Sequence, residues 1–203
     1  MMNTHDDGYV KYKMNWFKTT DQLVLPEGLL TYRNKLVELG LIGVYPDQIG
    51  FGNISSRVLG NVFIISGTQT GHIKVANEMH FSQVSIVDRK TNSLYCAGPV
   101  AASSEAMTHA AIYAANPKIN AVIHVHHLAL WEKLKNIEAT IPENIAYGTV
   151  EMAAAIENMV GEILTQQAQK IIITAGHEEG IFTFGENLDE AYNTLMQYYA
   201  ALI

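Results

Sequence analysis

The chain has 203 residues, 13 basic against 20 acidic side chains, a formal net charge of −7 and 48% hydrophobic residues. That balance excludes a basic nucleic-acid-binding stripe and fits one globular domain able to bury a sizeable core. No apolar run reaches membrane-span length, and the polar start MMNTHDDGYVKYKMNW lacks the apolar core of a secretory signal. The single cysteine, Cys96, cannot form an intrachain disulfide, so a reducing cytoplasm is the simplest setting.

Residues 1–20 read as an N-terminal arm, and residues 21–203 as a single domain. Pro26 to Gly40 reads as a helix, with proline suited to its first turn and glycine to its end. FGNISSRV, NVFIISG, QVSIVDR and NSLYCAG follow as short β-rich runs separated by Gly, Asn and Asp, the pattern of antiparallel strands or hairpins. Ser103 to Asn116 is the next predicted helix, capped by Ser103 or Ser104 and followed by Pro117. Ala121–His126 is a strand and His127–Leu134 a short helix. Thr149–Gln167 is a helix with Thr149 as cap and Met152, Ile156, Met159, Val160 and Ile163 on its buried face. Lys170–Thr174 and Gly180–Phe184 are strands, and Asn187–Ile203 closes the chain as a helix. The order predicts an α+β fold with a mixed, largely antiparallel sheet covered by helices.

AVIHVHHLALW, residues 121–131, places three histidines within four positions of an apolar stretch. On a strand, His124 and His126 project from the same face about 6.6 Å apart along the chain direction. Two imidazoles so placed can converge on one metal ion, or both can be core histidines satisfied by hydrogen bonds. The best candidate for a third ligand is His177, in the glycine-flanked loop of IIITAGHEEGIF directly after an apolar strand. His127 is expected to face away and to be structural or supporting. His5, His72 and His80 belong to no constellation.

In GPVAASSEAMTHAAIY, Ser103 and Ser104 mark a helix start, where unpaired N–H groups attract anions. Glu105 in the first turn is either a carboxylate set against the helix dipole or a base beside an anion site. His109 stands four residues on, sharing its face, with a structural role favoured. GNISSR (52–57) and SGT (66–68) offer further small residues of the kind found in concave anion sites, and in ordinary turns.

In this order, GLLTYRNKLVELGL, GNISSR, SG, SSEAMTHAAIY with NPKINAVIHVHH, YGTVEMA and GHEEGIFTFG resemble the class II aldolase/adducin family over roughly residues 29–199. The resemblance implies an α/β/α sandwich, and zinc or a similar divalent metal on His124, His126 and His177. It implies Glu105 as the acid/base, Asn53, Ser66, Gly67, Ser103 and Ser104 as the phosphate-binding positions, and Tyr199 as the C-terminal catalytic tyrosine. It implies a lyase that makes or breaks a C–C bond in a small sugar phosphate through a metal-stabilised enediolate, and a homotetramer with sites at subunit boundaries. Dehydratase, decarboxylase and 4-epimerase reactions belong to the same family, as do non-catalytic adducin-like binding proteins. Glu105, where the epimerases carry a shorter aspartate, favours an aldolase-like or dehydratase-like role. The complete set of three histidines and Glu105 speaks against the non-catalytic reading. Three positions depart from the pattern. Ala102 replaces the usual proline, two acids follow His177, and the segment between His127 and Tyr147 is short and lacks the tyrosine that the aldolases present to a neighbouring subunit.

Overall fold

The computed structural model describes residues 11–202. His5 and the first ten residues of the expected arm lie outside the described residues. Most of the rest of that arm belongs to the main sheet. Lys13–Lys18 forms β1, an edge strand running parallel to Ser93–Gly98.

Helix α1 (Leu29–Glu38) starts three residues later than Pro26, because Pro26 to Gly28 form a turn closed by Leu29 N–H donating to the Pro26 carbonyl. Two short strands, β2 (Gly43–Val44) and β3 (Gly50–Phe51), pair as a hairpin of their own. The four β-rich runs become β4 (Asn53–Leu59), β5 (Val62–Ser66), β6 (Phe81–Asp88) and β7 (Ser93–Gly98), each antiparallel to the next. There follow α2 (Ala106–Ala115), β8 (Ala121–His126), α3 (Leu128–Leu134), β9 (Thr140–Ile141), α4 (Val150–Gln166), β10 (Ile171–Thr174), β11 (Gly180–Gly185) and α5 (Leu188–Ala200).

Among the described residues the main sheet has nine strands in the order β1-β7-β6-β5-β4-β8-β11-β10-β9. Only its two outer pairs, β1 with β7 and β9 with β10, are parallel. Alternation along the central strands divides the core in two. Val122, Ile172, Phe182 and Phe184 point to the side covered by α2 and α4. Ala121, Ile123, Val125, Ile171, Ile173 and Ile181 point to the side covered by α1, α3 and α5. The result is the expected α/β/α sandwich. No helix among the described residues is long and apolar enough to cross a membrane.

The helix ends follow ordinary capping chemistry. Thr149 accepts from Met152 N–H at 3.1 Å and Asn187 from Glu190 N–H at 2.8 Å, each satisfying a first-turn donor. Ser103 acts one step earlier than expected. Its hydroxyl accepts from Glu105 N–H at 3.3 Å in the turn before α2, whose own N-cap is Glu105.

Candidate metal centre and active site

Period-two alternation sends His124 and His126 to the same side of β8 as Val122, toward α2. The register sets Asn53 of β4 directly opposite His124, and the turn before α2 delivers Glu105 above them. His177 arrives from the tight loop between β10 and β11. There Thr174 Oγ1 donates to the Gly180 carbonyl at 3.0 Å, and Gly180 N–H donates to the His177 carbonyl at 3.0 Å. Gly180 is required by space alone, since a Cβ there would sit 2.5 Å from Thr174 Oγ1. The three histidines, all buried, bring one ring nitrogen each to within 4.8 Å of one another.

The hydrogen bonds fix how these rings face. His124 Nδ1 lies 3.1 Å from the Ile181 carbonyl. A carbonyl only accepts, so Nδ1 carries the proton and Nε2 presents a lone pair. That Nε2 lies 3.0 Å from His126 Nε2 and 2.6 Å from Glu105 Oε2. Glu105 Oε1 lies 3.2 Å from His177 Nδ1. Electron-rich atoms thus crowd one point and need a cation between them. Three neutral imidazoles beside a carboxylate are the donor set of a divalent metal site with an open position, so these residues fit the metal that the resemblance implies.

Packing holds the rings in place. His124 stacks on Phe182 with centroids 4.0 Å apart, His126 on Phe51 at 5.6 Å, and His177 on Tyr147 at 4.8 Å. The Lys11 ammonium lies 4.0 Å from the Tyr147 ring centroid. Burial opposes charge on Glu105, but positive charge at this point, carried by His124 and His177 when they hold protons and by a metal when they do not, outweighs it and holds the carboxyl well below the usual carboxylate range. Asn53 Nδ2 donates to Glu105 Oε2 at 3.1 Å.

A cleft opens beside this cluster, lined by Gly50–Asn53, Gly67–Gly71, Ser103–Glu105, His126, Tyr147 and His177. Among these lining residues there is no lysine or arginine. Of the expected phosphate positions, Asn53, Gly67, Ser103 and Ser104 reach it. Ser66 does not line it, and its hydroxyl accepts from Ile54 N–H at 3.1 Å. The SGT backbone is less available than the sequence suggested. Gly67 N–H donates to the His80 carbonyl at 2.8 Å, extending the β5–β6 ladder by one rung, and Thr68 N–H donates to the Ala101 carbonyl at 2.9 Å beside the β-bridge of Gly67 with Ala102. Arg57 of GNISSR points away from the cleft and binds the Tyr113, Asn116 and Ile119 carbonyls at the end of α2.

Tyr199 stands on α5 with its ring 5.5 Å from that of His127, outside the cleft within one chain. His127 caps α3 by accepting from Leu130 N–H. His109 is fully buried and bonds Ser55 Oγ rather than Glu105, the structural role favoured from the sequence. Four contributors were not singled out from the sequence as parts of the site: Tyr12, Arg33, Tyr45 and Tyr147. Tyr12 OH donates to the Ser103 carbonyl at 2.8 Å. Arg33 binds the Thr70 carbonyl of the cleft wall and the Ile73 carbonyl just beyond it. Tyr45 OH lies 2.7 Å from His126 Nδ1.

The model of the class II aldolase and adducin N-terminal domain matches residues 46–202. A comparison with curated protein sequences finds no match. Among solved structures, YgbL from Klebsiella pneumoniae, whose reaction is given only as aldolase, epimerase or decarboxylase, superposes with a TM-score of 0.63 at 17% identity, covering 84% of this chain and 83% of that one. An L-fuculose 1-phosphate aldolase gives 0.61 at 19% identity, over 86% and 81%. A sugar-phosphate aldolase from Thermotoga maritima gives 0.63 at 16% identity, over 85% and 89%. At these identities the likeness is one of fold.

Proposed function

The chain belongs to the class II aldolase and adducin family, and on that premise we propose that it is a metal-dependent lyase of aldolase type acting on a small sugar phosphate. The observation that carries this reading is the contact of Glu105 Oε2 with His124 Nε2 at 2.6 Å, inside a buried three-histidine cluster. A residue kept only to cap a helix would have no reason to sit against the proposed metal ligands.

His124, His126 and His177 would hold the metal, which we take to be zinc from the all-imidazole donor set. The metal, when bound, supplies Lewis-acid polarisation of the substrate carbonyl. Glu105 moves the proton. In condensation it removes the proton from the carbon next to the carbonyl, and in cleavage it returns a proton to that carbon. Asn53 holds Oε2 of Glu105 and so aims the carboxylate. The substrate phosphate occupies the small-residue wall formed by Ser103, Ser104, Asn53 and the loop 67–71. Here hydroxyl, amide and remaining backbone donors act without a cationic side chain, and Ser66 supports this wall from behind. Tyr199 takes part only if a second copy of the chain brings it to a cleft, which accords with a proposed homotetramer.

Two measurements test the reading. Elemental analysis is expected to find one zinc per chain, sharply reduced in His177→Ala. Proton NMR in deuterated water is expected to show exchange of the C–H protons of dihydroxyacetone phosphate by the zinc-loaded protein. Glu105→Gln should keep its zinc and lose the exchange. Equal exchange in Glu105→Gln removes Glu105 as the base. Absence of exchange in the zinc-loaded wild type moves the reading to a decarboxylase, dehydratase, epimerase or binding protein.

A further inference from the structure

The two acids after His177 stand where the family pattern departs, and one of them has an unusual backbone. Glu179 has φ of +67°, in the left-handed region that favours glycine and costs a side-chain-bearing residue energy. Its side chain makes a specific contact. Tyr45 OH donates to Glu179 Oε2 at 2.9 Å and lies 2.7 Å from His126 Nδ1.

The proton count along this chain of three is determined by what each group can do. A carboxylate only accepts, so the single phenolic proton of Tyr45 goes to Glu179. The Tyr45 oxygen is then left to accept, and the donor must be His126 Nδ1–H. The proton on Nδ1 leaves Nε2 bare, and Nε2 is the atom 3.0 Å from His124 Nε2. His124 reaches the same tautomer through the Ile181 carbonyl. The two neighbouring imidazoles are thus set by different devices, one by a backbone carbonyl and one by a charged relay.

We propose that Glu179 and Tyr45 are positioning residues that lock His126 with Nε2 toward the metal and raise its donor strength through the carboxylate–phenol–imidazole relay. Resting on the metal site proposed above, this inference adds an outer layer to it. Ligating histidines commonly owe orientation and basicity to such partners, and loss of one typically weakens metal binding roughly 10- to 100-fold. The hairpin β2–β3 gains a purpose from this. It carries Tyr45 at its turn and Phe51 against the His126 ring, and a Cβ at Gly71 would meet the Gly43 carbonyl oxygen at 1.9 Å, so hairpin and cleft wall are in close contact.

The test measures zinc affinity by competition with a chromophoric chelator, and thermal stability of the zinc-free protein, in wild type, Tyr45→Phe, Glu179→Gly and the double variant. Tyr45→Phe keeps the ring packing and removes only the hydroxyl. Glu179→Gly removes the carboxylate and relieves the backbone. Each single variant is expected to bind zinc about 10- to 100-fold more weakly, and the double variant no more weakly than the worse single one, because one relay is cut either way. Glu179→Gly is expected to melt no lower than wild type without zinc, so that stability and affinity part company as a merely structural role would not allow. Affinities within twofold of wild type, or losses that multiply in the double variant, overturn the relay and leave the metal site standing. A wild type that takes up no zinc overturns the metal site and the relay together.

Discussion

Asn53 Nδ2 donates to Glu105 Oε2 at 3.1 Å, and the same oxygen lies 2.6 Å from His124 Nε2. Asn53 and His124 face each other across β4 and β8, so sheet register alone sets this three-way contact. Asn53→Ala should keep zinc and slow proton exchange by roughly 10- to 100-fold, the worth of one hydrogen bond to a charged group. Asn53→Asp should be worse, because a second carboxylate against Glu105 raises its pKa and moves the acid limb of the rate profile upward. The check is the exchange rate across pH with zinc content measured alongside. An unshifted acid limb in Asn53→Asp would show that Glu105 does not feel this position.

Arg33 is a buried cation with no carboxylate partner among the described residues. Its Nη2 donates to the Thr70 carbonyl at 2.6 Å and its Nη1 to that of Ile73. Burial brings its pKa down to about 10, so it stays charged at neutral pH. The loop it grips is a wall of the cleft. Arg33→Met should cost about 1–3 kcal/mol for each carbonyl left unpaired, read as a lower denaturation midpoint. It should also weaken binding of phosphoglycolate by calorimetry. Arg33→Lys should fall between, since an ammonium cannot reproduce the planar fork. Wild-type phosphoglycolate affinity in a folded Arg33→Met would separate the loop's position from anion binding.

The layers and the meeting of His124 with His126 were legible because they depend on short-range periodicity. The alternation that puts His124 and His126 on one face is visible in AVIHVH, and the Thr149 cap in TVEM. Tyr45 was not legible, since it meets His126 and Glu179 across 81 and 134 residues and no local pattern encodes such a meeting. The Gly67 and Thr68 N–H groups looked free for the same reason. Their acceptors come from two other segments, His80 from the run into β6 and Ala101 from the bridge to Ala102. Arg33 did leave a trace. Leu29, Arg33 and Leu36 share the buried face of α1, and an arginine on an apolar stripe signals a buried polar partner. The Lys13–Lys18 strand was missed because an edge strand with a mostly exposed pattern has the polar look of a tail.

His109 offers a test through pH. Its ring is buried, its Nδ1 lies 2.7 Å from Ser55 Oγ, and that hydroxyl lies 2.7 Å from Tyr113 OH. Among the described residues its Nε2 has no hydrogen-bond partner, so a second proton would place an unpaired charge in the core. Burial accordingly pushes the pKa from 6.5 down to about 3. Above pH 6.5 the ring is neutral in both folded and unfolded chains, and it adds no pH dependence. Between pH 6.5 and about 3 the unfolded chain takes up a proton that the folded chain refuses. Stability therefore falls with falling pH, by up to about 1.4 kcal/mol per unit from this residue. His109→Gln keeps a bond to Ser55 and does not titrate. It should be less stable than wild type at pH 7.5, by roughly 1–3 kcal/mol for imperfect packing and bonding, and the gap should close as pH falls toward 4. Urea unfolding of the zinc-free proteins across that range measures the difference, and His124, His126 and His177 cancel because both chains carry them. Parallel stability curves would mean that His109 binds its proton equally in the folded and unfolded states, contrary to its burial.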